Sequence, residues 1–166
     1  ILYRLVGSEM CIRDRQSISE ILSMIKYLGS LVGKVEESLN LVNEILQKIN
    51  TIKKKTFRIK PKIYFEEWDD PYISATRWVS EIIEISGGVD IFAKKSRSQK
   101  ALKRAVSSQD VINKNPDIIF ASWCGKKVNF DKIKKRQGWS SINAVKTNSL
   151  FEIKSPIILQ PGPAAL

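Results

Sequence analysis

Histidine is absent from all 166 residues. That removes the imidazole on which Ser-His-Asp hydrolysis and the usual histidine metal sites depend. Cysteine is scarce. Cys11 and Cys124 stand too far apart in sequence to suggest a disulfide framework. No run is long and apolar enough to span a bilayer. Neither a Walker-type loop nor a dinucleotide-binding glycine pattern occurs, and Gly87-Gly88 reads as a helix stop. Acidic residues are the minority, 17 Asp+Glu against 28 Lys+Arg, which gives a formal net charge of +11. An excess of that size suits a nucleic-acid or anionic-membrane partner. The lysines are scattered, however, and no DNA- or RNA-binding motif accompanies them. A solvated basic surface therefore weighs more, and no nucleic-acid partner is expected.

The length suffices for one domain with a sizeable core. Ile1 to Arg15 shows neither helical period nor strand alternation. It resembles translated sequencing-adapter read-through and is set apart from the fold, with an amphipathic N-terminus as the rival reading. From Gln16 to Val32, Ile18, Ile21, Leu22, Ile25 and Leu28 recur at helical spacing, and Ser17 or Ser19 can cap the helix. Lys34 to Lys55 predicts a longer helix, with Val35, Leu39, Val42, Leu46 and Ile49 in one stripe that Leu41, Ile45 and Ile52 widen.

The stretch from Lys62 to Phe92 organises the remainder. Ile63 to Glu66 predicts a strand, which Asp69-Asp70-Pro71 breaks. Ser74 can then cap a helix carrying Trp78, Val79, Ile82, Ile83 and Ile85. Ala93 to Ala105 is basic and aperiodic and reads as a loop. Val106 to Asn113 predicts a short helix capped by Ser107. Ile118 to Ala121 is a continuous apolar run, as expected of a buried parallel strand. A basic helix over Phe130 to Arg136, a strand over Leu150 to Ile153, an apolar segment over Pro156 to Leu159 and a helix opening at Pro163 complete the order. This βα alternation predicts an α/β fold with a mostly parallel sheet between helical layers, a Rossmann-like lobe. Ligands of such folds bind beyond the carboxyl ends of the strands. That directs attention to Trp68, Trp78, Trp123 and Trp139, which offer flat surface at little entropic cost.

The spaced motifs E-W-x-x-P at Glu67–Pro71, W-V-x-E-x-I-E-x-x-G-G at Trp78–Gly88, NPDIIFASWCG at Asn115–Gly125, GWSSINAV at Gly138–Val145 and QPGPAAL at Gln160–Leu166 together resemble the C-terminal lobe of cobalamin-type solute-binding proteins of ABC importers. That group shares its fold with the siderophore binders. The resemblance covers most of residues 16 to 166. It implies that residues 16–55 include a stiff helix joining two lobes, that residues 56–166 form the ligand-binding lobe, and that the 93–105 loop reaches over the ligand. It also implies that the sequence is a fragment truncated at both ends, its leader or lipid anchor lying outside it, in an extracytoplasmic protein. The implied ligand is cobalamin, haem or a ferric siderophore, with no catalytic cofactor and no metal site of the protein's own. The implied macromolecular partner is the importer's permease, with membrane contact only through it or an anchor.

For ligand contact the candidates are Trp68 and Trp123 at strand ends, then Tyr72, Arg77, Trp78, Lys126 and Gln160. Trp78 and Trp139 have a rival role as core side chains. For docking, the resemblance implies an acidic residue on each lobe that pairs with permease arginines. Its motif V-S-x-E-x-V falls on Val106–Val111 and places the acid at Gln109, with Asp110 beside it. Catalysis has two candidates. Glu66, Glu67, Asp69 and Asp70 could form an acid–base pair, but solvated loop carboxylates are the commoner case. Cys124 could be the nucleophile of a metal-cofactor enzyme, although a thiolate needs an activating base, and a small buried side chain is the plainer expectation.

Overall fold

A computed structural model describes residues 17–55 and 58–166. The 1–15 segment lies outside the described residues. Helix α1 spans Ile18–Leu31 and α2 Val35–Lys53. Ser17 opens α1 through a reciprocal capping box with Glu20, which satisfies two backbone donors at the helix start. Ile18, Ile21, Leu22 and Ile25 are buried, and they pack with Val42, Ile45 and Ile49 of α2. The helices cross closely at Gly29, where a Cβ would collide with the Ser38 side chain. The stripe expected on α2 is buried only in part: Val35, Leu39 and Leu46 are exposed. Tyr27, Leu28, Leu31 and Val32 are exposed too, so apolar surface gathers around the α1–α2 turn.

The sheet follows: β1 Lys62–Asp69, β2 Tyr72–Ser74, β3 Val89–Asp90, β4 Ile118–Ala121 and β5 Leu150–Glu152. β1, β4 and β5 run parallel in that spatial order. β2 (antiparallel) and β3 (parallel) share the other edge of β1, β2 at its carboxyl half and β3 at its amino half. The helices between them are α3 Arg77–Ile85, α4 Ala93–Ser96, α5 Ser108–Lys114, α6 Phe130–Lys134 and α7 Asn143–Lys146, and α8 Ser155–Ile158 follows β5. Alternation along the strands separates two cores. Ile63 and Phe65 face α1, α2 and α3, whereas Tyr64, Ile119 and Ala121 face Val111, Ile133, Trp139 and Ala144 of the opposite layer. The result is the α/β lobe with a mostly parallel sheet that the βα order predicts.

Three local expectations change. β1 does not stop at Glu66 but continues to Asp69. Its chain reverses through a cis Asp70–Pro71 peptide into β2, so proline serves as a hairpin turn rather than a simple break. Ser74 is not a helix cap. It lies buried in β2 and donates its hydroxyl to the Arg104 carbonyl at 2.9 Å, and Thr76 precedes the helix without a side-chain cap bond. The 93–105 segment is not a plain loop. It carries α4 and a 3-10 turn at Ala101–Arg104. It is pinned by Lys95 Nζ donating to the Ala105 carbonyl at 2.8 Å and by the buried Arg104, which pairs with Glu67 and donates to the Ser74 carbonyl at 2.6 Å.

Candidate functional site

The carboxyl ends of β1 and β4 meet in a cluster of aromatic rings and charges. Tyr64 and Glu66 are two residues apart on one strand and so share a face. Glu66 is fully buried. It accepts from Tyr64 Oη at 3.2 Å, from Trp123 Nε1 at 3.0 Å, and from both terminal nitrogens of Arg136 at 2.6 and 2.9 Å. Burial, then the Glu66 charge beside it, pushes the Tyr64 hydroxyl well above its ordinary value. The Arg136 guanidinium lies 4.3 Å from the Tyr72 ring centroid and 4.4 Å from that of Trp139. This bidentate, ring-flanked arrangement suits arginine's planar fork and would not suit lysine.

A shift in register between Glu66 and Trp68 marks an irregularity in the β1–β2 pairing. Beyond it, Asp69 is buried and its two oxygens are taken by different lysines, Lys126 on Oδ1 and Lys132 on Oδ2, the latter at 2.6 Å. Lys126 Nζ stands 4.1 Å over the Trp68 ring and 5.1 Å over that of Trp123. Burial alone would raise the Asp69 carboxyl, but the hydrogen bonds and charges of the two lysines outweigh it and hold the group below its ordinary value. A carboxylate depressed in this way contributes stability above its unfolded value of about 3.9 and loses it as the pH falls through the lower folded value. Urea unfolding across pH should therefore show an acid limb beginning near pH 4, and Asp69→Asn should flatten that limb.

These groups border a cleft of about 380 Å³ lined by Asp69, Asp70, Tyr72, Ser107, Lys132 and Arg136 among others. A larger groove of about 730 Å³ lies elsewhere, between α1, α2 and α3. Lys60 and Gly87 line it, which places it at the amino ends of β1 and β3. Its floor is aliphatic, and none of the described residues lining it is aromatic. The smaller cleft therefore has the stronger claim, because it combines the sheet's carboxyl end with converging aromatic and polar groups.

Of the sequence candidates, Tyr72 lines this cleft, and Trp68, Trp123 and Lys126 meet one another beside it, joined to it through Asp69. Trp68 is half-buried, and its indole N–H donates to the Asp70 carbonyl at 2.8 Å. Trp123 is 3 % exposed and committed to Glu66, so it forms the floor beneath the lysines rather than an open wall. Trp78, Arg77 and Gln160 are elsewhere. Trp78 is 5 % exposed in the α1–α2–α3 core and donates to the Ile158 carbonyl at 2.9 Å. Arg77 holds Glu81 at 3.0 Å, and Glu81 in turn accepts from the Ile18 amide that starts α1. Gln160 is exposed just beyond α8. Trp139 is fully buried, with its N–H on the Ser108 hydroxyl at 2.7 Å.

Near the proposed docking surface, Gln109 is exposed and donates to Asn113 at 2.7 Å. Asp110 accepts from both the amide and the hydroxyl of Ser107, a capping box that also holds its carboxyl below the ordinary value. Ser107→Ala should cost about 1 kcal/mol in thermal or urea unfolding, the usual worth of such a cap.

Two expectations are corrected. Cys124 is exposed rather than buried. Glu66 and Asp69 are not solvated loop carboxylates, because β1 carries them into the layer of α5–α7, where they are paired; Glu67 is half-buried on Arg104. Sequence reasoning missed their partners, Arg104, Lys132 and Arg136, which sit in the segments read as loop and as a basic helix. An acidic run inside a strongly basic chain was the available signal.

The comparisons with known proteins agree with this architecture. A curated relative, the uncharacterised ABC transporter substrate-binding lipoprotein YvrC of Bacillus subtilis (strain 168), is 24 % identical over 161 residues, 93 % of this chain. The chain spans about half of that protein's length, 49 %. Among solved structures, a possible iron-binding periplasmic solute-binding protein of Staphylococcus epidermidis aligns over 90 % of this chain and 58 % of its own, with 26 % identity and a TM-score of 0.74. The periplasmic vitamin B12 binding protein BtuF of Vibrio cholerae aligns over 92 % of this chain and 58 % of its own, at 20 % identity and a TM-score of 0.67, a likeness of fold alone. Residues 10–157 match the family described as periplasmic binding protein, and the chain belongs to that family.

Proposed function

We propose that the full-length gene product is the substrate-binding component of an ABC importer. It captures a corrinoid or an iron chelate between two lobes, of which this chain supplies one, and hands it to a permease outside the cytoplasm. The observation that carries the reading is the cleft at the sheet's carboxyl end, lined by Tyr72, Lys132 and Arg136, with Lys126 over Trp68 joined to it through the shared Asp69, in a chain of this family. Tyr72, Pro71 and Val106 give this cleft some apolar surface, and Asp69, Lys132 and Arg136 give it fixed polar groups that can orient a solute. The exposed apolar residues around the α1–α2 turn support a second lobe seated there, with α2 as the connector.

Haem suits this lobe less well. Its iron takes His, Cys, Met or Tyr as axial ligand, and of the described residues lining the cleft only Tyr72 qualifies, with its ring already against Arg136. An enzyme centred on Cys124 has no support, since the chain holds no histidine to activate the thiol. Docking through the start of α5 would involve Gln109, because the Asp110 carboxylate serves the cap.

Titration of the full-length protein with cobalamin, haem and a ferric siderophore, followed by tryptophan fluorescence, tests the proposal. Saturable quenching by cobalamin or the siderophore is expected. No response to any of the three from a folded protein would overturn it.

A further inference from the structure

The charges around the cleft divide into two kinds. Glu66 with Arg136 and Glu67 with Arg104 are closed pairs: in each, the arginine is buried and its fork is spent on the acid. Lys126 and Lys132 differ. Their side chains are 41 % and 54 % exposed, while the acid that holds them, Asp69, is buried behind them with one oxygen spent on each. An ammonium has three donors, so each lysine keeps donors free towards solvent. Among the described residues the other acid lining the cleft is Asp70, exposed on the hairpin turn; Lys132 lines the cleft with it, and Lys126 stands beside them on the same Asp69.

Aromatic faces frame these donors. Lys126 Nζ covers the Trp68 ring at 4.1 Å, and Lys132 Nζ stands 5.9 Å over Trp123. To stack on the Trp68 face that Lys126 covers, a neutral planar solute would have to displace the ammonium. An anionic solute would instead meet the ammonium where it stands. Asp69 fixes both positions beforehand, which lowers the cost of ordering two long side chains on binding.

Resting on the substrate-binding reading above, we propose that the solute is an anionic metal chelate bearing at least two carboxylate or catecholate oxygens, received by Lys126 and Lys132. Neutral chelates and neutral corrinoids are then disfavoured at this lobe. Asp69 acts as the positioning residue that presents the two lysines.

The test is calorimetric titration of the full-length protein with two ferric chelates that differ in charge, ferric citrate and a neutral ferric trihydroxamate, with cobalamin as a third probe. The single variants Lys126→Gln and Lys132→Gln each leave Asp69 one cationic partner, so both keep the buried acid paired; circular dichroism and unfolding midpoints verify the fold. The expected result is binding of ferric citrate at least tenfold tighter than either neutral probe. A tenfold or greater loss in each variant and weakening with added salt should accompany it. Lys126→Arg, which keeps the charge, should retain most of the affinity. Tighter binding of the neutral chelate or of cobalamin, unchanged by the lysine variants, would overturn the anionic assignment and leave the substrate-binding reading intact. Failure of wild-type protein to bind any of the three would overturn both.

Discussion

Replacing Glu66 with alanine is expected to destabilise the protein by about 3–5 kcal/mol, the usual result of removing one partner from a buried ion pair. The size follows from what remains. Arg136 is 6 % exposed in its side chain and would keep its charge with no acid beside it. Tyr64 Oη and Trp123 Nε1 would each lose their acceptor as well. Typical domain stabilities are about 5–15 kcal/mol, so this single change takes a large share of the total. Urea unfolding at pH 7 measures it. The double variant Glu66→Met with Arg136→Met should recover much of the loss, since apolar groups of similar volume often replace a buried pair at little cost. If Glu66→Ala unfolds within about 1 kcal/mol of wild type, the pair is not the keystone described.

Trp78→Ala is the second large effect, about 3–5 kcal/mol for truncating a buried tryptophan. The indole fills the space between α3 and α8 and satisfies the Ile158 carbonyl. The change should leave ligand affinity nearly as it is, provided the variant is assayed where it remains folded. Trp68→Ala should behave oppositely. Its ring is half-buried beneath Lys126, so stability should change little and ligand affinity should fall by tenfold or more. Unfolding curves and fluorescence titrations on the two variants separate core from cleft. Equal losses of affinity in both would place Trp78 in the site after all.

Element order was readable because each element carries its own local signal. The apolar run of Ile118–Ala121, just after Pro116, reads as a strand, and Ser17 and Ser107 announce helix starts by chemistry confined to three residues. Trp78 sits on the helical apolar stripe, and its core placement is one of the two roles that stripe allowed. What stayed hidden is long-range. The pairing of Glu66 with Arg136 joins residues seventy positions apart, and that of Asp69 with Lys126 and Lys132 joins segments that meet only once β1 and β4 lie side by side. A lone acidic run gives no hint of its partners, and solvated carboxylates outnumber buried ones. The cis proline hairpin was hidden for a related reason. Proline in sequence breaks a strand, and only the arrival of β2 beside β1 shows that the break is a turn.

The central claim is that the carboxyl end of the sheet receives the solute. Hydrogen exchange of the full-length protein with and without saturating ferric chelate tests it most directly. The account predicts added protection over residues 66–72 and 122–136, with the groove between α1, α2 and α3 unchanged. Protection confined to that groove, around Ile18, Leu22, Leu46 and Ile49, would contradict it.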